Sequence, residues 1–412
     1  MYRQPDCCTG SALADGDAVA GLDADAVDRI LRRIASKSFD AAGEIEPELF
    51  FHTFDTLTGA VDKVFGAATY GTPDFEFANE IRRNIGVFAA AKTHRQQNDL
   101  YTQMWDENGR VRSFGAFRKA SLPIVGQYNV NWLQTEYDTC IIRAQNAQKW
   151  REMERNADLY PNGQWLPSTS VHPREEHKAF YYKVWPLSSP FWSTNHPGSL
   201  WGCKCGFRST SEPATDARET KRAVKATPPA APGLGGNPGR TAAVFDVKSH
   251  PYAKLAYTDY KKLRPMVERY ADRVMLKYAE AKTKEVKSLI DPFRGLMIPA
   301  PNLHTGRVMF LRRCFKDIRT HNPDYRVLMH VTNPEQAVME WKYIGSKPVA
   351  AYPKGHPKAG LPKHTDTEYF TYYRVQIGGK TNYVHVRFDK KTQAEIPYAI
   401  TDELDMKGMR KQ

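Results

Sequence analysis

The sequence predicts an α+β protein: a mainly helical N-terminal domain closed by a Cys/His/Trp loop motif, a flexible linker, and a small C-terminal domain with an antiparallel sheet. Three observations predict it. Apolar residues recur at helical spacing in the first part of the chain, residues 211–243 are rich in Pro, Gly and Ala, and alternating strands flank Gly378-Gly379. The predicted bounds are 1–22 (disordered lead), 23–210 (helical domain), 211–243 (linker) and 244–412 (basic α+β domain).

Helical periodicity begins near Asp23, and Asp23 or Asp25 is placed to cap the first helix. A second helix is predicted from Pro47 and a third over 80–92, with an extension over 93–101. The apolar stripes of the first two helices are Val27, Ile30, Leu31 and Ile34, then Phe51, Phe54, Leu57, Val61, Val64 and Phe65.

The longest helical pattern of the front half covers residues 114–151. Pro123 is expected to interrupt it, because proline lacks a backbone donor and clashes with the preceding turn. Glu136 and Arg143 lie on the second part of this helix. They are either catalytic groups or partners in surface pairing or a buried contact.

Residues 171–208 hold three Trp, four Pro, three His and two Cys, so this stretch is loop and short strand rather than helix. Either an aromatic cluster or a bound metal is expected to order it. The cluster candidates are Trp185, Phe191, Trp192 and Trp201. Zinc prefers four N or S ligands, and the candidates are His177, His196, Cys203 and Cys205, with His172 in reserve. The alternative is that the thiols and His177 are satisfied groups in an aromatic core.

The six Cys are scattered and form no disulfide framework, which indicates a reducing environment. No run approaches the ~18 apolar residues of a membrane span, so no membrane partner is expected. The chain also lacks a G-x-x-x-x-G-K-[ST] phosphate loop, a G-x-S-x-G elbow and an H-E-x-x-H helix, which argues against a packaging motor, a serine hydrolase and a zinc protease.

The C-terminal domain is expected to begin with a charged helix over 254–290 and a short basic helix within 307–321. A β-hairpin then surrounds Gly378-Gly379, and residues 395–404 supply one more strand. Residues 243–412 contain 31 Lys and Arg against 18 Asp and Glu, whereas residues 1–242 contain 28 of each. The whole basic excess therefore lies in the last domain, which predicts contact with nucleic acid unless it is only a solvated basic surface.

RNA cleavage without a metal requires a general base, a general acid and cations that stabilise the phosphate charge. Strand alternation places Arg374 on one face of the hairpin, and His385 and Arg387 on one face of the partner strand. The candidate catalytic residues are His321, His385, Arg374, Arg387 and Lys363. A binding or purely structural domain is the alternative.

The loop motif resembles a known signature. Arg174 and His177, Trp185-Pro186, Phe191-Trp192, His196-Pro197 and 201–205 (WGCKC) follow the R-x-x-H, W-aromatic and G-C-[RK]-C order of the phage Mu F-like head morphogenesis (minor capsid) family. Residues 133–150 also resemble that family's T-E-x-x-T and A-x-N-A-x-K/R segment. The chain departs from the pattern at Gly198, where the family usually has a second proline.

This resemblance implies a phage or prophage minor head protein that acts in capsid assembly near the portal. The implied partners are portal, scaffold and major capsid proteins. The implied location is the virion head, assembled in the cytoplasm of a bacterial host.

The C-terminal domain more weakly resembles the barnase-EndoU-colicin-RelE-like nucleases, in architecture and basic charge rather than in a motif. That implies a metal-independent RNase-like activity. The alternatives are a toxin or effector nuclease delivered by a phage-like module, and a non-catalytic nucleic-acid-binding domain.

Overall fold

The computed structural model describes residues 18–66, 73–170, 173, 175–253, 260–290, 295, 297–321, 327, 330, 331, 333–377, 380–405 and 409. Two compact units make up the chain: residues 1–67 with 77–271, and residues 68–76 with 272–412. The α+β class is confirmed, with the long helices towards the N-terminus and a mainly antiparallel sheet in the second unit.

Long helices dominate the first unit, because its apolar residues repeat at the helical period. In chain order they are α1 (Ala24–Ile34), α2 (Pro47–Phe65), α3 (Pro73–Thr102), α4 (Phe114–Gly126) and α5 (Trp132–Arg155). Asp23 caps α1, since its side chain accepts a hydrogen bond from the Ala26 amide. The predicted stripe of α1 is buried in full, whereas on α2 Phe50 is buried and the predicted Phe51 is 40% exposed.

The predicted interruption at Pro123 falls elsewhere. Pro123 lies inside α4, and the irregularity is a π-helical turn, Gln127–Asn131, that joins α4 to α5. The proline removes one intrahelical hydrogen bond without ending the helix, and the ladder is reset one turn later.

After α5 the chain forms a small sheet with the order β2-β1-β3, from β1 (Asn162–Leu166), β2 (Val184–Pro186) and β3 (Gly206–Thr210). A short helix, α6 (Phe191–Thr194), follows β2. Both pairings are antiparallel. The sheet and α5 enclose a core of aromatic side chains and two thiols: Trp150, Trp165, Phe180, Trp185, Phe191, Trp192, Cys203, Cys205 and Phe207. Trp201, which was expected in this cluster, stacks on Phe245 instead.

The stretch predicted as a linker contains α7 (Ala217–Ala226) and α8 (Pro238–Thr241) and lies within the first compact unit. Leu234 and Phe245 are fully buried, and the ring of Phe245 stacks on Phe88 at 4.0 Å. The boundary between units therefore falls after Ala271 rather than near residue 243. The sequence does not reveal this packing, because much of the segment is held by hydrogen bonds from the buried Arg143 rather than by large apolar side chains.

The second unit contains part of α9 (Tyr260–Ile290), then β4 (Met297–Pro299), β5 (Arg307–Met309), α10 (Arg312–His321) and α11 (Pro334–Met339). Its remaining strands are β6 (Lys342–Pro348), β7 (Thr367–Ile377), β8 (Lys380–Asp389) and β9 (Ala394–Thr401). The sheet order is β4-β5-β9-β8-β7-β6, and the β5–β9 pairing is parallel. The predicted hairpin is β7–β8. The Gly378-Gly379 turn itself lies outside the described residues.

One face of the β7–β8 pair is apolar and buried. Tyr373, Val375, Val384 and Val386 belong to a core that also includes Trp341 and Ile318. The predicted alternation along these strands is confirmed. Among the described helices, none combines the length and apolar character that crossing a membrane demands.

Candidate functional site

A buried group of one histidine and two cysteines lies beside the small sheet of the first unit. His177 Nδ1 is 3.3 Å from Cys203 Sγ and 3.7 Å from Cys205 Sγ, and the three ligand atoms all lie within 4.8 Å of one another. The exposed fractions of these residues are only 3%, 6% and 6%. Three of the four predicted metal ligands are therefore together.

Short local structures position the three side chains. His177 directly precedes a 3-10 turn, Lys178–Phe180, and its ring meets Trp165 of β1 edge to face. Cys203 closes a turn in which its amide donates to the Leu200 carbonyl, while Gly202 supplies a φ of 71°. Cys205 immediately precedes β3. The C-x-C spacing therefore directs both thiols to the ring of His177.

The two thiols share a hydrogen bond. It lowers the pKa of Cys203, which His177 lowers further, and it raises the pKa of Cys205. The lowered pKa favours the thiolate form of Cys203, and thiolates are the form that binds metal.

The donor set fits a tetrahedral metal ion. With Zn–S of about 2.3 Å and Zn–N of about 2.0 Å, a tetrahedral centre places sulfur and nitrogen about 3.5 Å apart, close to the separations found here. The indole N–H of Trp165 is fully buried beside the Cys205 thiol and has no well-formed hydrogen bond among the described residues. A metal-bound thiolate would give this N–H an acceptor. The group could hold a metal ion.

The fourth predicted ligand, His196, is not part of this group. Its ring packs against Phe207 and Trp150, and Nδ1 lies 2.7 Å from the Pro197 carbonyl, to which it donates. Burial lowers the pKa of His196 to about 3, so the imidazole is neutral. His172 and Arg174 lie outside the described residues.

Glu136 and Arg143 prove to be buried contacts. Glu136 Oε2 lies 2.5 Å from the Lys92 ammonium, and Glu136 Oε1 accepts a hydrogen bond from the Tyr252 hydroxyl at 2.6 Å. Lys92 and Glu136 have no exposed side-chain surface. Lys92 was missed from the sequence, although one lysine after the apolar run 87–91 was a usable signal.

Arg143, on α5, is hydrogen-bonded to the segment that the sequence predicts as a linker. Its guanidinium donates hydrogen bonds of 2.7 to 3.2 Å to five backbone carbonyls, those of Gly198, Leu234, Gly235, Gly236 and Val244. This satisfies all five of its N–H groups. Gly198 has a φ of 88°, which proline cannot adopt. The departure from the family pattern at Gly198 therefore coincides with a carbonyl turned towards Arg143.

In the second unit, the strand register places three of the predicted catalytic residues on one face. Tyr372 pairs with His385, Phe370 with Arg387 and Arg374 with Tyr383. Because paired residues share a face, Arg374, His385 and Arg387 lie on the side opposite the buried Tyr373 and Val384.

The His385 ring is partly buried between Tyr372 and Tyr398. The hydroxyl of Thr401 donates to the Glu403 carbonyl at 2.6 Å, so it must accept from His385 Nε2, which lies 2.8 Å away. That leaves Nδ1 as the unprotonated nitrogen. Burial, with the nearby charges of His321 and Lys347, lowers the pKa of His385 to about 4. His321, at the end of α10, is exposed and close enough to affect it.

Lys363 lies apart from this face along the chain, on the loop between β6 and β7. Its amide donates to the Ala350 carbonyl, and its side chain is exposed. The register therefore groups the hairpin residues and does not place Lys363 among them.

Comparison with known proteins finds no matching family model and no matching solved structure. Two curated proteins are similar in part. The "Mu-like prophage FluMu F protein" of Haemophilus influenzae is 28% identical over 170 residues, which cover 40% of this chain and 34% of that protein. The "Putative capsid assembly protein F" of Escherichia phage Mu is 32% identical over 79 residues, 19% of this chain and 18% of that protein. The chain spans about a third of the first relative and less than a fifth of the second. These similarities support a Mu F-like relationship at modest identity.

Proposed function

We propose that this chain is a phage or prophage minor head protein that acts in capsid assembly. The observation that carries the proposal is its similarity to two F proteins, one of them named for capsid assembly. The motif residues Glu136, Cys203 and Cys205 support it, because all three are buried in the first compact unit. Portal, scaffold and major capsid proteins are the proposed partners, and the virion head, assembled in the host cytoplasm, is the proposed location.

The direct test is incorporation into particles. The full chain would be expressed with the head genes of the genome that encodes it, and purified heads would be examined by mass spectrometry. We expect the chain in the heads at a fixed ratio to the portal protein. Its absence from normal heads, with unchanged head yield when its gene is deleted, would reject the proposal.

A structural zinc ion is part of this proposal. Bound to His177, Cys203 and Cys205, it would tie the 3-10 turn to the loop before β3, and so fix the small sheet against α5. In such sites the free energy of metal binding contributes to folding. The proposed role of the zinc ion is to stabilise the fold of the first unit.

The sheet face of the second unit favours a second candidate function, binding and cleavage of RNA. Arg374, Arg387 and His385 share a face, and His321 is close enough to influence His385. In such a reaction a base, His385 Nδ1, would take the proton of a 2′-hydroxyl. That oxygen would attack phosphorus to form a cyclic phosphate, and the 5′-oxygen would leave with a proton from His321.

The RNase proposal is tested with the full chain and single-stranded RNA. The variants are His385→Gln and His321→Gln, and the control is His356→Gln, an exposed histidine on the β6–β7 loop. We expect cleavage that both variants lose and the control keeps, with products ending in cyclic phosphate. Binding of RNA without cleavage would support the non-catalytic nucleic-acid-binding domain. The absence of both binding and cleavage would reject the RNase function and the nucleic-acid-binding function. Growth arrest on expression that depends on His385 would favour the toxin or effector alternative.

A further inference from the structure

We propose that the open face of β7, β8 and β9 binds a single strand of RNA by stacking its bases on the rings of Phe370 and Tyr398. The open face is the side of these strands opposite the buried core, and it also carries Arg374, His385 and Arg387. The inference rests on the proposed RNA function of the second unit and deepens it, because it names unpaired bases as the feature that is recognised. Neither aromatic residue was singled out from the sequence.

Aromatic rings occupy a face that is usually polar. When one face of an antiparallel sheet packs on the core, the other normally carries polar side chains towards solvent. The open face instead holds Phe370 and Tyr372 of β7, His385 of β8 and Tyr398 of β9. The ring centroids are 5.2 Å apart for Tyr372 and His385, 6.0 Å for His385 and Tyr398, and 5.8 Å for Phe370 and Tyr398. The four rings therefore form one aromatic surface across three strands.

Phe370 and Tyr398 present part of this surface to solvent. Both are partly exposed, whereas Tyr372 is only 8% exposed. The rings of Phe370 and Tyr398 meet edge to face at an interplanar angle of 66°, so neither is stacked on the other. An exposed ring that is not stacked can accept a nucleobase, and the interaction is stronger where the ring is already held in place. The hydrogen-bonded strands hold these rings before the RNA arrives.

Cations border the aromatic surface at positions suited to phosphates. Arg387 pairs with Phe370, and Arg374 lies four residues further along β7, about 13 Å for that length of strand. Tyr372 lies between them, and the Lys347 ammonium lies 5.8 Å from its ring centroid. Such cations can bind the phosphates of a strand whose bases stack on the rings between them.

A single strand suits this surface better than a duplex. In a duplex the neighbouring base pairs cover both faces of each base, and the deep groove of A-form RNA excludes side chains. Unpaired bases can be turned out to stack on aromatic rings, and such stacking tolerates any base because each base has a π-face. We therefore expect recognition of unpaired RNA with little preference for sequence.

The C-terminal segment 401–405 lies beside this surface and supplies a competitor for the phosphates. The Lys347 ammonium donates to the Asp405 carbonyl at 2.6 Å and lies 3.6 Å from the Asp405 carboxylate. The Asp405 side chain is 80% exposed, so this ion pair is weak in water. A phosphate that binds Lys347 displaces the carboxylate, and removal of the carboxylate should therefore tighten RNA binding.

The test measures binding of a short fluorescein-labelled RNA strand to the full chain by fluorescence anisotropy. The strand carries 2′-O-methyl ribose, which cannot form a cyclic phosphate, so binding is measured without cleavage. Phe370→Leu and Tyr398→Leu each remove a ring and keep an apolar side chain. Tyr352→Leu is the matched control, because Tyr352 is a partly exposed tyrosine on the β6–β7 loop. We expect each of the first two variants to weaken binding about tenfold, the order of effect that loss of one stacking ring gives, and the control to bind as the wild type does.

Three further readouts separate stacking from charge and from damage to the fold. A duplex of the same sequence can bind through its phosphates alone, so Phe370→Leu and Tyr398→Leu should bind it as tightly as the wild type does. Arg374→Gln should reduce the slope of log affinity against log salt concentration by about 0.7, the value for one phosphate contact with a single strand, whereas Tyr398→Leu should leave the slope unchanged. Asp405→Asn should tighten binding of the strand by about two- to fivefold.

Wild-type affinity for the strand in both Phe370→Leu and Tyr398→Leu, or an equal loss of duplex binding in these variants, overturns the inference. The RNase proposal is unaffected by that result, because it is judged by cleavage that depends on His385 and His321. If the wild type binds neither the strand nor the duplex, the inference fails together with the nucleic-acid function.

Discussion

Arg143 donates a hydrogen bond of 3.0 Å to the carbonyl of Gly198, and Gly198 can present that carbonyl only because it has no side chain. Its φ is 88°, and a Cβ there would lie 3.1 Å from Cγ of Arg143. The helix α5 and the loop that leads to the two cysteines are therefore joined at Gly198, beside a second hydrogen bond from Asn146 to the Pro197 carbonyl. Its substitution should disturb the candidate site from outside the ligand set.

Gly198→Ala should lower the free energy of unfolding by about 1–2 kcal/mol, the usual cost of the left-handed conformation for a residue with Cβ. The control is Gly59→Ala inside α2, where a Cβ would meet no atom within 4 Å and the helical alanine should stabilise by about 0.5–1 kcal/mol. Urea denaturation measures both. Equal stability of Gly198→Ala and wild type would show that the conformation is not required.

Arg143→Lys should be destabilising by about 3–5 kcal/mol, although the charge is kept. Lysine cannot reach the five carbonyls with a planar fork, so buried acceptors lose their donors. Burial lowers the pKa of Arg143 only to about 10, so the arginine itself stays charged at neutral pH. Arg264→Lys is the control, because Arg264 is exposed in an i,i+4 pair with Glu268. Protease cleavage within 228–250 should appear in Arg143→Lys alone, and resistance equal to wild type would contradict the anchoring role.

Glu136→Gln should destabilise by about 3–5 kcal/mol, because it leaves the Lys92 ammonium buried without a counterion. The double variant Lys92→Met, Glu136→Leu should recover most of the loss, since no charge remains buried. Thermal or urea unfolding of the single and double variants measures the difference. A double variant less stable than Glu136→Gln would show that the pair itself stabilises the fold.

Acid should weaken the second unit through His330. The Trp341 indole donates to His330 Nε2 at 3.2 Å, and burial lowers the pKa of His330 to about 4, although the Glu340 carboxylate lies 3.7 Å from Nδ1. A histidine in the unfolded chain has a pKa of about 6.5, so below that pH the unfolded chain binds a proton that the folded chain does not bind. Stability is therefore lost as pH falls towards about 4, by an amount on the order of 3 kcal/mol.

His330→Gln should flatten this loss between about pH 6.5 and 4, since glutamine accepts from Trp341 without titrating. Exposed His364→Gln serves as the control. Unfolding monitored by tryptophan fluorescence across that range gives the slopes. A slope in His330→Gln equal to that of wild type would assign the acid sensitivity to other groups.

Much of the fold could be predicted from the sequence because its signals are local. The α1 stripe, the Asp23 cap and the β7–β8 alternation each depend on residues close in the chain, and the structure agrees with them. The segment 217–253 could not be predicted, because its order depends on Arg143 and Tyr252 meeting partners over 90 residues away. Composition alone made it resemble a linker.

The candidate site, like the fold, could be predicted only in part from the sequence. His177, Cys203 and Cys205 were found because ligand types at short spacing are visible in a sequence. His196 was chosen by proximity in the chain, whereas its ring turns into the aromatic core beside Phe207.

The proposal depends above all on a metal ion that is bound by His177, Cys203 and Cys205 and stabilises the fold of the first unit. Elemental analysis of the purified full chain measures this most directly, with Cys203→Ser and Cys205→Ser beside Cys314→Ser, a buried cysteine outside the group. The account predicts about one zinc per chain in the wild type and in Cys314→Ser, and loss of metal with lower thermal stability in the other two. Folded wild-type protein without metal, or full metal content in both Cys203→Ser and Cys205→Ser, would contradict it.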